Sequence, residues 1–186
     1  PEFWLGLGKT RSREWLVLES AAKDTSECYL LPAHAPDETP RCFRPRQKGV
    51  EYALEHRPGH FYVLHNQDSP HFRLDRVPEA SIGTGQQTLI PHRDDTTLEG
   101  IDAFSWGLAI TERDHDQAQE RIRIIEFDTH HRVQRDDYLP LRETPCSLML
   151  GDMPRFSSRL LRLREESFTT PAQWHELDLD THERRL

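Results

Sequence analysis

Cations are the minority charge in this chain: 24 Lys and Arg stand against 32 Asp and Glu, for a formal net charge of −8. That balance disfavours a nucleic-acid partner, which demands clustered cations to displace counterions from phosphates. Cysteine is scarce too. Cys28, Cys42 and Cys146 are odd in number and form no C-x-x-C pair, so neither a disulfide framework nor a four-ligand zinc site is written here, and a reducing, cytoplasmic setting fits best. No apolar run approaches the roughly 18 residues of a membrane-spanning helix, and no signal-peptide order of basic, apolar and small residues opens the chain. It starts Pro1-Glu2-Phe3-Trp4 and enters a strand-like run at once, which suggests a portion cut from something longer. Helical periodicity is missing as well: no window of about twelve residues keeps an apolar stripe at i, i+3, i+4, i+7.

What is present suffices for a core. Of 186 residues, 35% are hydrophobic and 9% aromatic, a composition richer in aromatics than disordered chains carry. The length suits one compact unit or a piece of a larger one. A repeat organises it. Short apolar strands open at Phe3, Val50, Leu98 and Cys146, at offsets of 47, 48 and 48 residues. Second strands follow at Glu14 to Glu19, Phe61 to His65, Trp106 to Thr111 and Arg159 to Leu163. Third strands run over Glu27 to Leu31, Phe72 to Val77, Arg121 to Phe127 and Trp174 to Leu179. Weaker fourth strands lie near Arg41 to Arg44, Gln87 to Ile90, Arg132 to Arg135 and Glu183 to Leu186.

Four strands in a period of this length are the dimension of a propeller blade. The expected fold is therefore all-β: a partial β-propeller of about four consecutive four-stranded antiparallel blades, at 1–48, 49–96, 97–144 and 145–186. A two-sheet sandwich is the competing all-β reading, and the near-constant offset argues against it. Asp128-Thr129-His130-His131-Arg132 and Asp180-Thr181-His182-Glu183-Arg184 share the pattern D-T-H-x-R at an offset of 52 residues. This predicts hairpins between third and fourth strands, with the third-place histidine taking a positive φ.

Catalytic and binding motifs are weak. Gly8-Lys9-Thr10 mimics the end of a phosphate-binding loop, but Phe3 stands where that motif needs glycine. His92-Arg93-Asp94 mimics a kinase catalytic loop, yet Glu99 occupies the asparagine position, and the segment is expected to be a polar connection between blades. His130-His131 with Asp128, and His115 with Asp114 and Asp116, invite a metal; sequential neighbours on a strand point to opposite faces, so no metal site is assigned. No G-x-S-x-G elbow occurs, and no serine has a context that predicts a base partner. No catalytic, cofactor-binding or metal residue is therefore assigned, and no cofactor. Trp4, Trp15, Trp106 and Trp174 are expected to be packing residues. Arg155, Arg159, Arg162 and Arg164 with Glu165 and Glu166 are expected to form a solvated strand face, which could also dock another domain.

Three stretches carry a resemblance. His56, Phe61, Tyr62 and Asn66 follow an H-x(4)-F-Y-x(3)-N spacing, Leu98-Glu99-Gly100 opens a strand, and Ser167-Phe168-Thr169-Thr170-Pro171 precedes Glu176-Leu177-Asp178-Leu179-Asp180-Thr181 and Glu183-Arg184-Arg185. Together they resemble the propeller of the prolyl oligopeptidase family of serine peptidases, S9, and within it the oligopeptidase B (protease II) branch. One departure stands out: His182 sits where the family pattern has glycine. The resemblance implies a seven-bladed propeller over an α/β-hydrolase domain that holds the whole Ser, Asp, His triad and lies outside this chain. It also implies a lid that admits short peptides, with cleavage after Arg or Lys.

On that reading the chain is a non-catalytic part of a cytoplasmic serine oligopeptidase, and its partners are the hydrolase domain of the same parent and short, basic peptides. A free-standing propeller-like module binding a protein or sugar is the alternative. Four blades of seven would leave two faces bare. If each exposes on the order of 500 Å² of apolar area, covering one is worth at most about 12 kcal/mol at ~25 cal/mol/Å², so the chain by itself is expected to self-associate.

Overall fold

Polar and apolar residues alternate along many of the short runs, the pattern of a pleated strand with one buried face. The computed structural model describes residues 3–82, 84–141, 146–153 and 155–186. They form four four-stranded antiparallel sheets, each laid down in chain order. The first sheet is β1 (Trp4–Lys9), β2 (Trp15–Ala22), β3 (Thr25–Pro32) and β4 (Arg41–Arg44); the second is β5 (Tyr52–Arg57), β6 (His60–His65), β7 (Arg73–Pro78) and β8 (Gln87–Ile90). The third is β9 (Thr96–Ala103), β10 (Gly107–Asp114), β11 (Gln119–Phe127) and β12 (Val133–Tyr138); the fourth is β13 (Cys146–Leu150), β14 (Leu160–Ser167), β15 (Gln173–Asp178) and β16 (Arg184–Arg185). Every expected strand is present, most of them longer by one to three residues. The helical element among the described residues is a single 3-10 turn over Glu79–Ser81, which the strand pattern did not announce.

The chain divides into two compact units, Pro1–Arg93 and Asp94–Leu186, each made of two sheets. In the first, β3 packs against β5, and Cys28, Leu30, Phe43, Tyr52, Phe61, Val63 and Val77 close a core. In the second, β11 packs against β13 around Phe104, Ile122, Ile124, Leu148, Leu161, Leu163 and Leu177.

Two sheet details follow from particular residues. Thr111 pairs with Gly100 and Glu112 with Leu98, so Glu99 is the extra residue of a β-bulge, and its carboxylate takes a 2.6 Å hydrogen bond from Arg113. Gly107 opens β10 where a Cβ would lie 1.9 Å from the carbonyl oxygen of Ile125, so only glycine fits against that strand.

The D-T-H-x-R hairpins form, in a shifted register. His182 has φ 59°, as expected, but in the earlier turn the left-handed residue is His131, also φ 59°, and not His130. The working aspartates are Asp128, which accepts from the backbone N–H of His130 and Arg132, and Asp178, which accepts from Asp180 and Thr181. The Asp128 N–H bonds to Arg132 O and the Asp178 N–H to Glu183 O, so the second loop is one residue longer and Asp180 is not the counterpart of Asp128. The departure at 182 thus places histidine in the conformation that glycine adopts without strain.

Tryptophan placement is also corrected in part. Trp15 packs edge-on against Phe61, and Trp106 stacks on Phe104 at 4.9 Å. Trp4 and Trp174 are 69% and 52% exposed. Trp174 points from the open face of the fourth sheet, whereas Trp4 shares the inner face of the first sheet with Ala21 and Val17 but stands on the edge strand β1, where the second sheet does not cover it.

Candidate functional site

His56 alternates inward at the end of β5 and is fully buried beside Trp15 and Phe61. Its Nε2 lies 2.8 Å from Glu79 Oε1 and its Nδ1 2.7 Å from Ser12 Oγ. Glu79, on the 3-10 turn after β7, also accepts from the Trp15 indole N–H at 3.0 Å and from the Gly59 N–H at 3.0 Å. Ser12 comes from the β1–β2 connection, where Arg13 turns the chain at φ 63°. Serine, histidine and glutamate are thus linked in series through hydrogen bonds, the composition of a hydrolytic triad.

Burial comes first among the causes that lower the His56 pKa, and it favours the neutral ring. For Glu79 burial would raise the pKa, but the hydrogen bonds from Trp15 and His56 outweigh it and hold the carboxyl below its ordinary value. Neutral His56 therefore donates from Nε2 to the Glu79 carboxylate and accepts the Ser12 hydroxyl at Nδ1. A nucleophile further needs an open cleft and N–H donors about 3 Å from the reacting oxygen. The Ser12 oxygen instead faces Thr10 Oγ1 at 2.9 Å and accepts from Glu14 N–H at 3.4 Å. The chemistry of this arrangement is that of a clasp, pinning the first hairpin of sheet one onto sheet two.

Sequence reasoning missed this clasp, because its members lie 44 and 23 residues apart. The signal that could have found it is His56 itself, the leading residue of the H-x(4)-F-Y-x(3)-N stretch. The other residues of that stretch are structural as well: Phe61 and Tyr62 are buried on opposite faces of β6, and the Asn66 side chain accepts from the Glu51 N–H at 2.8 Å.

Glu14, His56 and Glu79 are also the group of three metal-ligating side chains among the described residues whose ligand atoms lie within 4.8 Å of one another. Both His56 nitrogens are already engaged, so a cation would have to displace the clasp. The histidine clusters singled out from sequence form no such group among the described residues. Asp128 bonds to its own turn, and His115 donates from Nδ1 to Asp94 O while Nε2 lies 2.8 Å from Thr97 Oγ1. Gly8 and Lys9 lie in β1, and His92 to Asp94 lie between β8 and β9. No thiol is activated: burial pushes Cys28 up to about 12 and raises Cys42 and Cys146.

The arginine-rich series on β14 splits by alternation. Arg162 pairs with Glu176 at 3.2 Å and Arg164 with Glu166 at 2.8 Å on the open face, while Glu165 turns inward to Arg184 at 3.0 Å. Arg159, just before β14, bridges Glu126 and Asp180. Where β13 begins and β14 ends, two cavities of about 410 and 350 Å³ adjoin Cys146, Glu166 and Ser167. The S-x-T-T-P stretch forms their rim: Ser167 Oγ accepts from the N–H of Thr169 at 3.2 Å and of Thr170 at 3.0 Å, and Phe168 projects at the tip.

Comparison with known proteins agrees with this architecture. The family described as "Prolyl oligopeptidase, N-terminal beta-propeller domain" matches residues 1–186. Dipeptidyl aminopeptidase BI of Pseudoxanthomonas mexicana is 28% identical over 98% of this chain and 24% of its own length. Protease 2 of Moraxella lacunata is 22% identical over 98% of the chain and 25% of its own length. The solved structure of oligopeptidase B from Trypanosoma brucei superimposes with a TM-score of 0.87 at 26% identity, covering 100% of this chain and 27% of that one. The chain therefore spans about a quarter of the length of these relatives.

Proposed function

The chain belongs to the N-terminal β-propeller domain family of the prolyl oligopeptidases, and from that premise we propose that it is the non-catalytic, access-restricting portion of a cytoplasmic serine oligopeptidase. Its four sheets act as blades 1–48, 49–96, 97–144 and 145–186. The triad is supplied by an α/β-hydrolase domain outside this chain. The observation that carries the reading is the family match over the full 186 residues, a span that folds as four four-stranded sheets laid down in chain order.

The physical logic is one of size. A rigid wall of sheets in front of a triad admits a flexible peptide and rejects a folded protein, because only the former fits the enclosed volume. Cleavage after Arg or Lys belongs to this proposal through the likeness to oligopeptidase B and protease 2. The net charge of −8 steers cationic peptides weakly, since the field is screened within about 8 Å at physiological salt. The test is a size series of arginine-ended peptides with the parent polypeptide. Short peptides are turned over and the same sequence embedded in a folded protein is not; equal cleavage of both overturns the gating role.

A further inference from the structure

Phe168 is 96% exposed, the most exposed of the large hydrophobic side chains in the structure. Its turn is ordered by hydrogen bonds: Ser167 Oγ accepts from two N–H groups, and the Ser167 N–H bonds to Thr170 O at 2.9 Å. The aromatic is therefore presented in a set position, which reduces the ordering cost of a contact. A cavity of about 350 Å³ opens beside it, with Ala118 and Ser147 in its wall and Arg113, Glu120 and Glu166 around it. Arg113 is already matched by Glu99 and Glu120, so the patch offers an apolar knob and a hollow rather than unspent charge.

Its position argues for the kind of partner. A neighbouring sheet stacks on a flat sheet face, and in the fourth sheet that exposed face carries Met149, Leu160 and Trp174. Phe168 lies beyond the strand ends, at the β14–β15 hairpin, where a stacked sheet does not reach. About three quarters of each relative lies outside the matched region. We propose that the Phe168 hairpin and the adjoining hollow dock the catalytic domain of the same parent polypeptide, with the ring entering an apolar socket on that domain. This rests on the function proposed above.

The experiment places a photo-crosslinking p-benzoylphenylalanine at 168 in the parent polypeptide and maps the crosslink by mass spectrometry. A crosslink into the hydrolase segment is expected; one into another propeller sheet, or none, overturns the docking. Phe168→Ala should leave the unfolding midpoint of the 186-residue chain unchanged and raise protease cleavage between the two domains of the parent about tenfold, the effect of ~1.4 kcal/mol. Labelling of the parent by a serine-directed fluorophosphonate separates the two claims. A labelled parent without the crosslink refutes the docking alone, and a parent that takes no label refutes the functional reading beneath it.

Discussion

The imidazole of His56 donates to the carboxylate of Glu79 across 2.8 Å while its other nitrogen receives Ser12, and this one histidine ties the first sheet to the second. A buried, neutral ring in that role makes the first unit sensitive to acid. In the unfolded chain histidine titrates near 6.5, whereas burial lowers the folded value. The unfolded state thus binds the proton first, so the stability from His56 is complete above about pH 7 and is lost as pH falls from about 6.5 through the folded pKa. Glu79, held low, adds stability present above about pH 4.3 and lost as pH falls through its own folded pKa. Unfolding followed by Trp15 fluorescence, read in a variant lacking the other three tryptophans, should weaken in that order. His56→Gln should remove the upper step, and an upper step unchanged by the substitution would refute the assignment. Glu79→Gln should cost about 1–3 kcal/mol, because an NH2 donor then replaces one of the two accepting oxygens and faces either the Gly59 N–H or the Trp15 and His56 donors.

Gly107→Ala should be among the costliest single changes in the second unit. The added methyl would lie 1.9 Å from Ile125 O, so the strand pair must part or the chain shift. A loss of about 1–3 kcal/mol or more is expected in denaturant unfolding, and a loss under about 0.5 kcal/mol would contradict the geometry.

At His182 the backbone asks for a left-handed residue. His182→Gly should be neutral to mildly stabilising, since relief of strain and the added freedom of the unfolded chain oppose each other at about 1 kcal/mol each. His182→Val should cost about 1–2 kcal/mol, because a β-branched side chain resists this φ most. Equal stability of the two variants would show the turn to be otherwise built.

Much of this was legible in the residues because strand alternation is a local signal. β4 and β8 sit at the bounds their sequences predict, and the 48-residue rhythm survives as four sheets. The clasp was not legible, since Ser12, His56 and Glu79 meet only through packing between two sheets. The turn register was misaligned for a related reason. Asp178 and Asp180 both precede Thr181, and sequence identity favours Asp180, while the hydrogen bonds select Asp178. Trp4 and Trp174 carried the composition of core residues, but burial depends on what covers a face, which no local pattern encodes.

Two uncovered sheet faces make a prediction of their own. Leu5 and Leu7, 84% and 72% exposed, pair with Ser20 and Leu18 and share one face of the first sheet; Met149, Leu160 and Trp174 stand on the fourth. The 186-residue chain alone should self-associate through them, and Leu5→Asp with Leu7→Glu should return it toward monomer in light scattering. A stable monomer at high concentration before substitution would contradict this.

Hydrolysis of an arginine-ended chromogenic peptide, measured side by side for the 186-residue chain and for its parent polypeptide, tests the central claim most directly. The account predicts turnover by the parent alone, with Ser12 of the short chain inert to a serine-directed fluorophosphonate. Turnover by the 186-residue chain, or label on Ser12, would contradict it.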